Sequence, residues 1–468
     1  MANIPHSMPP VAHLATSSGD GIYGALKASK EWIAPTDPKV LKKIQTWQDQ
    51  KFGLLLTWGT YSQWGIVESW SLVTTQYPWN KRPEKYTSLS DRAYMQVYEN
   101  LPKTLNPKQF DPEKWAIAAK NAGVKYILSM TKHHDGFCMW DTKTTDYRIT
   151  SKDCPFHLSP QADVIKAMCN SFRKHELSSG LYFSKADWHS PYYWMPELGP
   201  GSNQGPNFDP KQHPVEWQKF KEFTWRQIEE LMTGYGPQDI LWLDGGSVRP
   251  PNAAIDMDGM AAMARTHQPG LIVVDRTVAG PNENIITPEG EIPDHYLPYP
   301  WETCMTMGNS WPWHPNDNFK SVGTLVHNLC RIVARGGNYL VGIGPDANGE
   351  FDPTVYQRLE GIGAWLKVNG EAIYSTRPVQ PYEQKDCVFT RKKDGTVYAI
   401  VQSQADTEGL PESVKLPTEI ASRVQKAKML GVGTVKVEPN GTIHFSDSMR
   451  AQTANGYAWA IKLTLKKV

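Results

Sequence analysis

Short apolar runs recur through the first three-quarters of the chain, at residues 52–58, 124–130, 180–184, 240–244, 271–275, 301–305 and 339–343. Each has strand length, and helical spacing fills most of the intervals between them. The clearest helix covers residues 319–335, where Phe319, Val322, Leu325, Val326, Leu329, Ile332 and Val333 fall three and four apart before Gly336-Gly337 stops the run. Two more cover residues 214–235, with Trp217, Phe220, Ile228 and Leu231 on one side, and residues 353–368, closing at Asn369-Gly370. This alternation predicts an α/β fold, and seven candidate strands predict a (β/α)8-like barrel with one irregular strand. Residues 1–45 are mixed and Pro-containing and read as a surface lead-in with one helix.

After about residue 375 the period changes to two. Alternating runs at 387–391, 397–402, 427–429, 435–438, 442–445 and 458–465 are separated by turns such as Lys393-Asp394-Gly395 and Pro439-Asn440-Gly441. They predict a C-terminal antiparallel β-sandwich over residues 376–468, packed on a barrel that takes residues 1–375 with the lead-in.

Lys and Arg (49) balance Asp and Glu (48), leaving a formal charge of +1. That excludes the electrostatic footprint of a nucleic-acid or membrane-surface protein and favours a neutral partner. Trp (18) outnumbers Phe (13), and flat rings with one polar edge suit the partly apolar faces of sugars as well as a core. The six cysteines (138, 154, 169, 304, 330 and 387) lack CxxC spacing, so free thiols are expected. No stretch approaches the roughly 18 apolar residues that span a bilayer. The opening Met1-Ala2-Asn3-Ile4-Pro5-His6 carries no charged-then-apolar leader, which is compatible with a cytoplasmic protein or with an exported one whose leader has been removed.

Candidate chemistry gathers where strands end. Asp244 closes one apolar run and is followed by Gly245-Gly246, which would let a ring approach without a Cβ in the way. It is a candidate nucleophile for glycoside cleavage, or else an ordinary turn carboxylate. A second carboxyl is then needed as proton donor. Glu289 in Ile286-Thr287-Pro288-Glu289 is the leading candidate, with Glu283, Glu291 and Glu302 competing. His133 and His134 follow another strand and could donate to sugar hydroxyls, serve structurally, or ligate a metal with Asp135, although no HExxH-type spacing supports a metal. Arg276 ends the 271–275 run and could hold a carboxylate or a hydroxyl.

Taken in order, Lys51-Phe52-Gly53 leading to Trp58-Gly59, Lys132-His133-His134-Asp135-Gly136-Phe137, the 180–184 run, Leu241-Trp242-Leu243-Asp244-Gly245-Gly246, Asp275-Arg276, Thr287-Pro288-Glu289, Trp301-Glu302-Thr303-Cys304 and the 335–345 segment resemble glycoside hydrolase family 29, the α-L-fucosidases. The similarity covers about residues 45–375 and is weaker beyond. It implies a (β/α)8-like barrel with a C-terminal β-sandwich, a carbohydrate substrate, hydrolysis with retention, and no metal or organic cofactor. It places the nucleophile on Asp244, the acid/base on Glu289, and sugar contacts on His133, His134, Trp242, Arg276 and the pocket glutamate Glu68.

Two departures bear on the sugar. The family's His-Trp-Gly is here Thr57-Trp58-Gly59, and its common Glu-Trp-Tyr is Glu68-Ser69-Trp70-Ser71. Both segments line the family's pocket near the 3- and 4-hydroxyls, so Thr57 and Trp70 join the substrate-contacting candidates. A shorter Thr57 leaves space where a histidine would hold the axial 4-hydroxyl of fucose. The expectation is a glycone altered at C4 and C6, such as α-L-glucose; the alternatives are an ordinary α-L-fucosidase or α-L-galactosidase, or an inactive sugar-binding barrel.

Overall fold

In the computed structural model, which describes residues 32–73, 80–403, 408–454 and 456–466, every apolar run of the first three-quarters becomes a strand of one parallel sheet. These are β1 (Phe52–Leu56), β2 (Tyr126–Lys132), β3 (Ser178–Ser184), β4 (Ile240–Asp244), β5 (Ile272–Asp275), β6 (Glu302–Thr306) and β7 (Asn338–Ile343), in the spatial order β5-β4-β3-β2-β1-β7-β6. They are buried almost throughout, as strands covered on both faces must be.

The edges β5 and β6 are tied together by residues 282–290. At its start this segment runs antiparallel to β5: Asp275 N donates to Asn282 O (2.9 Å) and Asn284 N to Val273 O (3.0 Å). At its end it runs parallel to β6, where Glu302 N donates to Ile286 O (2.9 Å) and Cys304 N to Pro288 O (3.1 Å). The eighth stave is therefore irregular. Pro288 has no amide to donate, and the chain from Arg276 to Pro281 is too short for a crossover helix.

Helices cover the outside: α1 (Pro38–Gln50) before β1, α2 (Asp91–Glu99) and α3 (Pro112–Asn121) between β1 and β2, then α4 (Val164–Lys174), α5 (Pro214–Gly234), α6 (Met257–His267), α7 (Val322–Ala334) and α8 (Pro353–Asn369). Their starts follow from local chemistry. The side chains of Asp37, Ser90, Asp111, Asp163, Asp256, Ser321 and Asp352 accept from first-turn amides, and proline opens α1, α3, α5 and α8. Ser321 is why the 319–335 pattern becomes helical only at Val322. Inside the barrel, Gly53 leaves the room that the Tyr126 ring fills; a Cβ there would lie 2.4 Å from the ring.

The C-terminal strands are β8 (Arg377–Gln384), β9 (Cys387–Arg391), β10 (Val397–Gln402), β11 (Ser413–Lys415), β12 (Val424–Met429), β13 (Gly433–Thr434), β14 (Thr442–His444) and β15 (Ala458–Leu465). Six form an antiparallel sheet, β13-β12-β15-β10-β9-β8, and β11 with β14 makes the small facing sheet. Its own core includes Phe389, Val401, Met429, Ile443 and Ile461. Trp365 of α8 donates to Ala458 O (2.8 Å), docking the sheet on the barrel. The expected strand at 435–438 is absent. Pairing with β12 ends after Val435 N donates to Ala427 O, and Glu438 already belongs to the turn before β14. The lead-in helix is α1; residues 1–31 of that lead-in lie outside the described residues. All six cysteines are buried as free thiols. Among the described residues no helix is long and apolar enough to cross a membrane.

Two ion pairs contrast sharply in burial. Lys132 Nζ lies 2.6 Å from Asp187 Oδ2 with both side chains sealed from solvent, and Asp187 also accepts from Ser190 N (2.9 Å). Lys114–Glu350 is half exposed. Asp187→Ala is expected to cost about 3–5 kcal/mol in urea unfolding because it strands a buried ammonium, whereas Lys114→Ala should cost under about 1 kcal/mol. Equal losses would contradict this partition.

Candidate active site

The C-terminal ends of β1 to β5 and the irregular stave deliver polar groups to one rim. Asp244 is the last residue of β4. Its Oδ2 accepts from Tyr182 Oη (2.7 Å), and its Oδ1 accepts from Gly245 N (2.8 Å) and lies 3.3 Å from Arg276 Nη1. Arg276, just beyond β5, pairs through Nη2 with Glu289 Oε2. One guanidinium thus spans two carboxylates contributed by separate segments. Burial works against ionisation of Asp244, but the Arg276 charge, His134 and the hydrogen bonds from Tyr182 and Gly245 outweigh it and hold the carboxyl well below the usual range.

Glu68 is the third carboxyl. It is buried, has φ 27°, and leaves Oε2 without a hydrogen-bond partner. Burial, together with the negative charges of Glu289 and Asp244, pushes its pKa well up, favouring the protonated form. A strained backbone and an unpaired buried polar atom each cost stability of order 1–3 kcal/mol. Their coincidence in one residue makes Glu68 a candidate for a functional role.

His133 and His134 leave β2 with rings 4.1 Å apart. Ser69 Oγ holds Nδ1 of His133, and Ser184 Oγ holds Nδ1 of His134. The Ser184 hydroxyl proton is already given to Ala186 O (2.7 Å), so His134 Nδ1 must be the donor in its bond and Nε2 carries the free lone pair. Burial lowers the His134 pKa to about 4, with Arg276 and Lys132 adding to the effect against the pull of Asp244. Burial and the neighbouring His134 depress His133 further. Both imidazoles are neutral at physiological pH.

Aromatic rings wall the site. Trp242 stacks on Tyr182 at 5.3 Å, and the Arg276 guanidinium lies 5.3 Å from the Trp242 ring. Trp70 stands edge-on to His134 at 5.1 Å and to Trp188 at 5.9 Å. Thr57, directly after β1, is buried with its amide bonded to Ile343 O (2.9 Å) and its hydroxyl unpartnered.

The expected residues Asp244, Glu289, Arg276, His133, His134, Trp242 and Trp70 are therefore joined by direct contacts, and Glu68 by its charge neighbours. Three expectations need correction. Asp135 does not face the metal-capable side of the histidines; it turns away to accept from Tyr98 Oη (2.8 Å) and Phe137 N (3.2 Å). Of the competing glutamates, Glu291 is exposed, Glu283 is buried with Oε1 accepting from Thr277 N (3.1 Å) and Oε2 unpartnered, and Glu302 is sealed beneath the site. Gly245 and Gly246 serve the turn rather than a ring: Gly245 has φ 86° and packs on the backbone of Ala186, and a Cβ on Gly246 would meet Thr277 Oγ1 at 2.5 Å.

Tyr182, Ser184 and Ser69 carried no expected role, and Glu302 was expected only as a competing acid. Tyr182 and Ser184 occupy alternate positions of β3 with Gly180 and so share its inward face, a period-two signal that their apolar neighbours mask. Glu302 accepts from Trp242 Nε1 (3.0 Å) and Tyr126 Oη (2.8 Å), and fixes the indole from below.

The α-L-fucosidase family model matches residues 23–371. The chain is 27% identical to tissue α-L-fucosidase of Bos taurus and 28% identical to plasma α-L-fucosidase of Homo sapiens, each over 90% of its length and 89% and 90% of theirs. Among solved structures it resembles α-L-fucosidase isoenzyme 1 from Paenibacillus thiaminolyticus, with TM-score 0.74, 25% identity, and 92% of this chain against all of that one. A Bacteroides thetaiotaomicron α-L-fucosidase trapped as a covalent intermediate has the same fold, with TM-score 0.71 and 24% identity over 93% of this chain and 98% of that one.

Burial raises the Glu302 pKa from 4.5 to about 7. A raised folded-state value means that the stability tied to this group is full below about pH 4.5 and is lost as pH rises through about 7. Glu302→Gln should remove that slope while keeping an acceptor for Trp242, so the variant gains on the parent between pH 4.5 and 8 in urea unfolding. A pH-independent difference would contradict the assignment.

Proposed function

The chain belongs to the α-L-fucosidase family and is a glycoside hydrolase of the retaining, double-displacement kind, and we propose that it releases single terminal α-L-sugars with Asp244 as nucleophile and Glu289 as acid/base. The observation that carries this is one guanidinium spanning a strand-end carboxylate and a second carboxylate, an arrangement compatible with the about 5–5.5 Å separation of retaining pairs.

Asp244, held ionised, attacks the anomeric carbon as the glycosidic C–O bond breaks, and Glu289 gives its proton to the departing oxygen. Proton delivery requires Glu289 to leave Arg276. Having given up its proton, the Glu289 carboxylate takes one from the water that cleaves the ester. His133, His134, Glu68 and Arg276 orient the hydroxyls, Thr57 and Trp70 bound the ring, and Trp242 packs against its apolar face.

The relatives are named for α-L-fucose, and an α-L-fucoside is the first reading of the glycone. Thr57 favours a second one. A buried hydroxyl without a partner stands where the family resemblance expects a histidine, and removing a polar contact from the 4-hydroxyl would favour an equatorial group there, as in α-L-glucose.

Initial rates on p-nitrophenyl α-L-fucoside, α-L-glucoside and α-L-galactoside decide between the readings. If the fucoside leads, the ordinary fucosidase stands; if the glucoside leads, Thr57→His should reduce that preference by about tenfold or more. Asp244→Asn should lower kcat by about 10⁴-fold with the fold intact. Glu289→Ala should lose about 10²–10⁴-fold on unactivated leaving groups and far less in the first step on activated aryl ones. Uniform losses across leaving groups would count against the acid role.

A further inference from the structure

We propose that His133, His134 and Asp244 form a capture site for one borderline divalent cation, with Zn²⁺ as the type case, and that the bound cation blocks sugar entry. The three side chains offer ligand atoms that all lie within 4.8 Å of one another, the only such set of His, Cys, Asp or Glu among the described residues. Zinc takes imidazole nitrogen and carboxylate oxygen at about 2.0–2.2 Å, so tetrahedral ligands stand roughly 3.3 Å apart. Binding would therefore draw the most separated of the three atoms together by about 1.5 Å.

Orientation favours the cation as well. Each imidazole has its Nδ1 committed to a serine hydroxyl, Ser69 or Ser184. For His134 the Ser184–Ala186 bond dictates that Nε2 is the bare nitrogen. Metal-bound histidines are held by this same kind of outer hydrogen bond, which fixes tautomer and ring direction. Charge does not oppose the cation: the Asp244 carboxylate is itself a ligand, and the nearby Arg276 guanidinium is paired with both Asp244 and Glu289. Two imidazoles select zinc or copper over magnesium or calcium, which prefer all-oxygen shells.

A cation bound here is an inhibitor rather than a cofactor. It occupies a lone pair of Asp244 and the nitrogens that face the pocket, so sugar and metal exclude each other. The exclusion rests on this rim being the sugar site proposed above, whereas zinc binding itself requires neither the identity of the sugar nor the catalytic roles and can fail while those stand.

The test is calorimetric titration of ZnCl₂ into chelator-stripped, dialysed enzyme, with MgCl₂ in parallel. The expected result is one Zn²⁺ per chain and no Mg²⁺ heat. His134→Leu should weaken zinc at least tenfold. Ser184→Ala, which keeps every ligand atom but removes the outer hydrogen bond, should weaken it about 10–100-fold. His175→Gln, on the surface beside Glu113, should change nothing. Circular dichroism establishes that each variant is folded, and Asp244→Asn provides a second ligand variant if His134→Leu is not. No zinc binding by the parent enzyme, or parent-like binding by both ligand variants, would overturn the proposal.

Discussion

The arrangement of the site depends on one buried guanidinium. Arg276 lies between Asp244 and Glu289, with Glu68 close enough to feel both charges. Three carboxyls in a space shielded from water would otherwise drive one another neutral. A pair of unit charges about 4 Å apart is worth about 4 kcal/mol at an effective dielectric of about 20, or roughly three pKa units. That is enough to offset burial of one carboxylate, and the pocket uses it on Asp244. Glu68, without a cation of its own, remains on the protonated side. Environment alone therefore separates like residues, holding Asp244 toward the ionised form and Glu68 toward the protonated one.

Around this centre most polar groups are held from behind, Glu68 Oε2 and the Thr57 hydroxyl being exceptions. Tyr182 and Gly245 grip the two oxygens of Asp244, serines hold both imidazoles, and Glu302 ties Trp242 to Tyr126. Trp242 in turn stacks on Tyr182, so the floor of the barrel and the strand-end carboxylate form one connected packing unit. Such a shell limits rotamer freedom before any ligand arrives, which is the requirement for positioning an attacking oxygen within a few tenths of an ångström.

Much of this was legible in the sequence, for physical reasons. Asp244, His133 and His134 stand out because each directly follows a buried strand, and parallel strands carry their ends to one rim. The barrel showed in the alternation of periods, but apolar spacing alone carried the 319–335 helix back past its Ser321 cap. What stayed hidden is what depends on three-dimensional closure. Residues 282–290 have no strand period, because Pro288 and the short link from β5 prevent a regular ladder, so the approach of Glu289 to Arg276 could not be derived from spacing. Glu302 falls within the 301–305 strand run, but nothing in that run shows that its carboxylate turns inward to Trp242 and Tyr126. Asp135 looked equivalent to its histidine neighbours, and the turn at Gly136 sends it to Tyr98 instead.

The central claim is that Asp244, kept ionised by Arg276, becomes covalently bonded to the sugar. The most direct measurement is to incubate the enzyme with the 2-fluoro glycosyl fluoride of whichever L-sugar it turns over, then digest it and locate the adduct by mass spectrometry. One sugar per chain, esterified to Asp244, is the predicted result. An ester on Glu68 or Glu289, or turnover without any trapped ester, would contradict it.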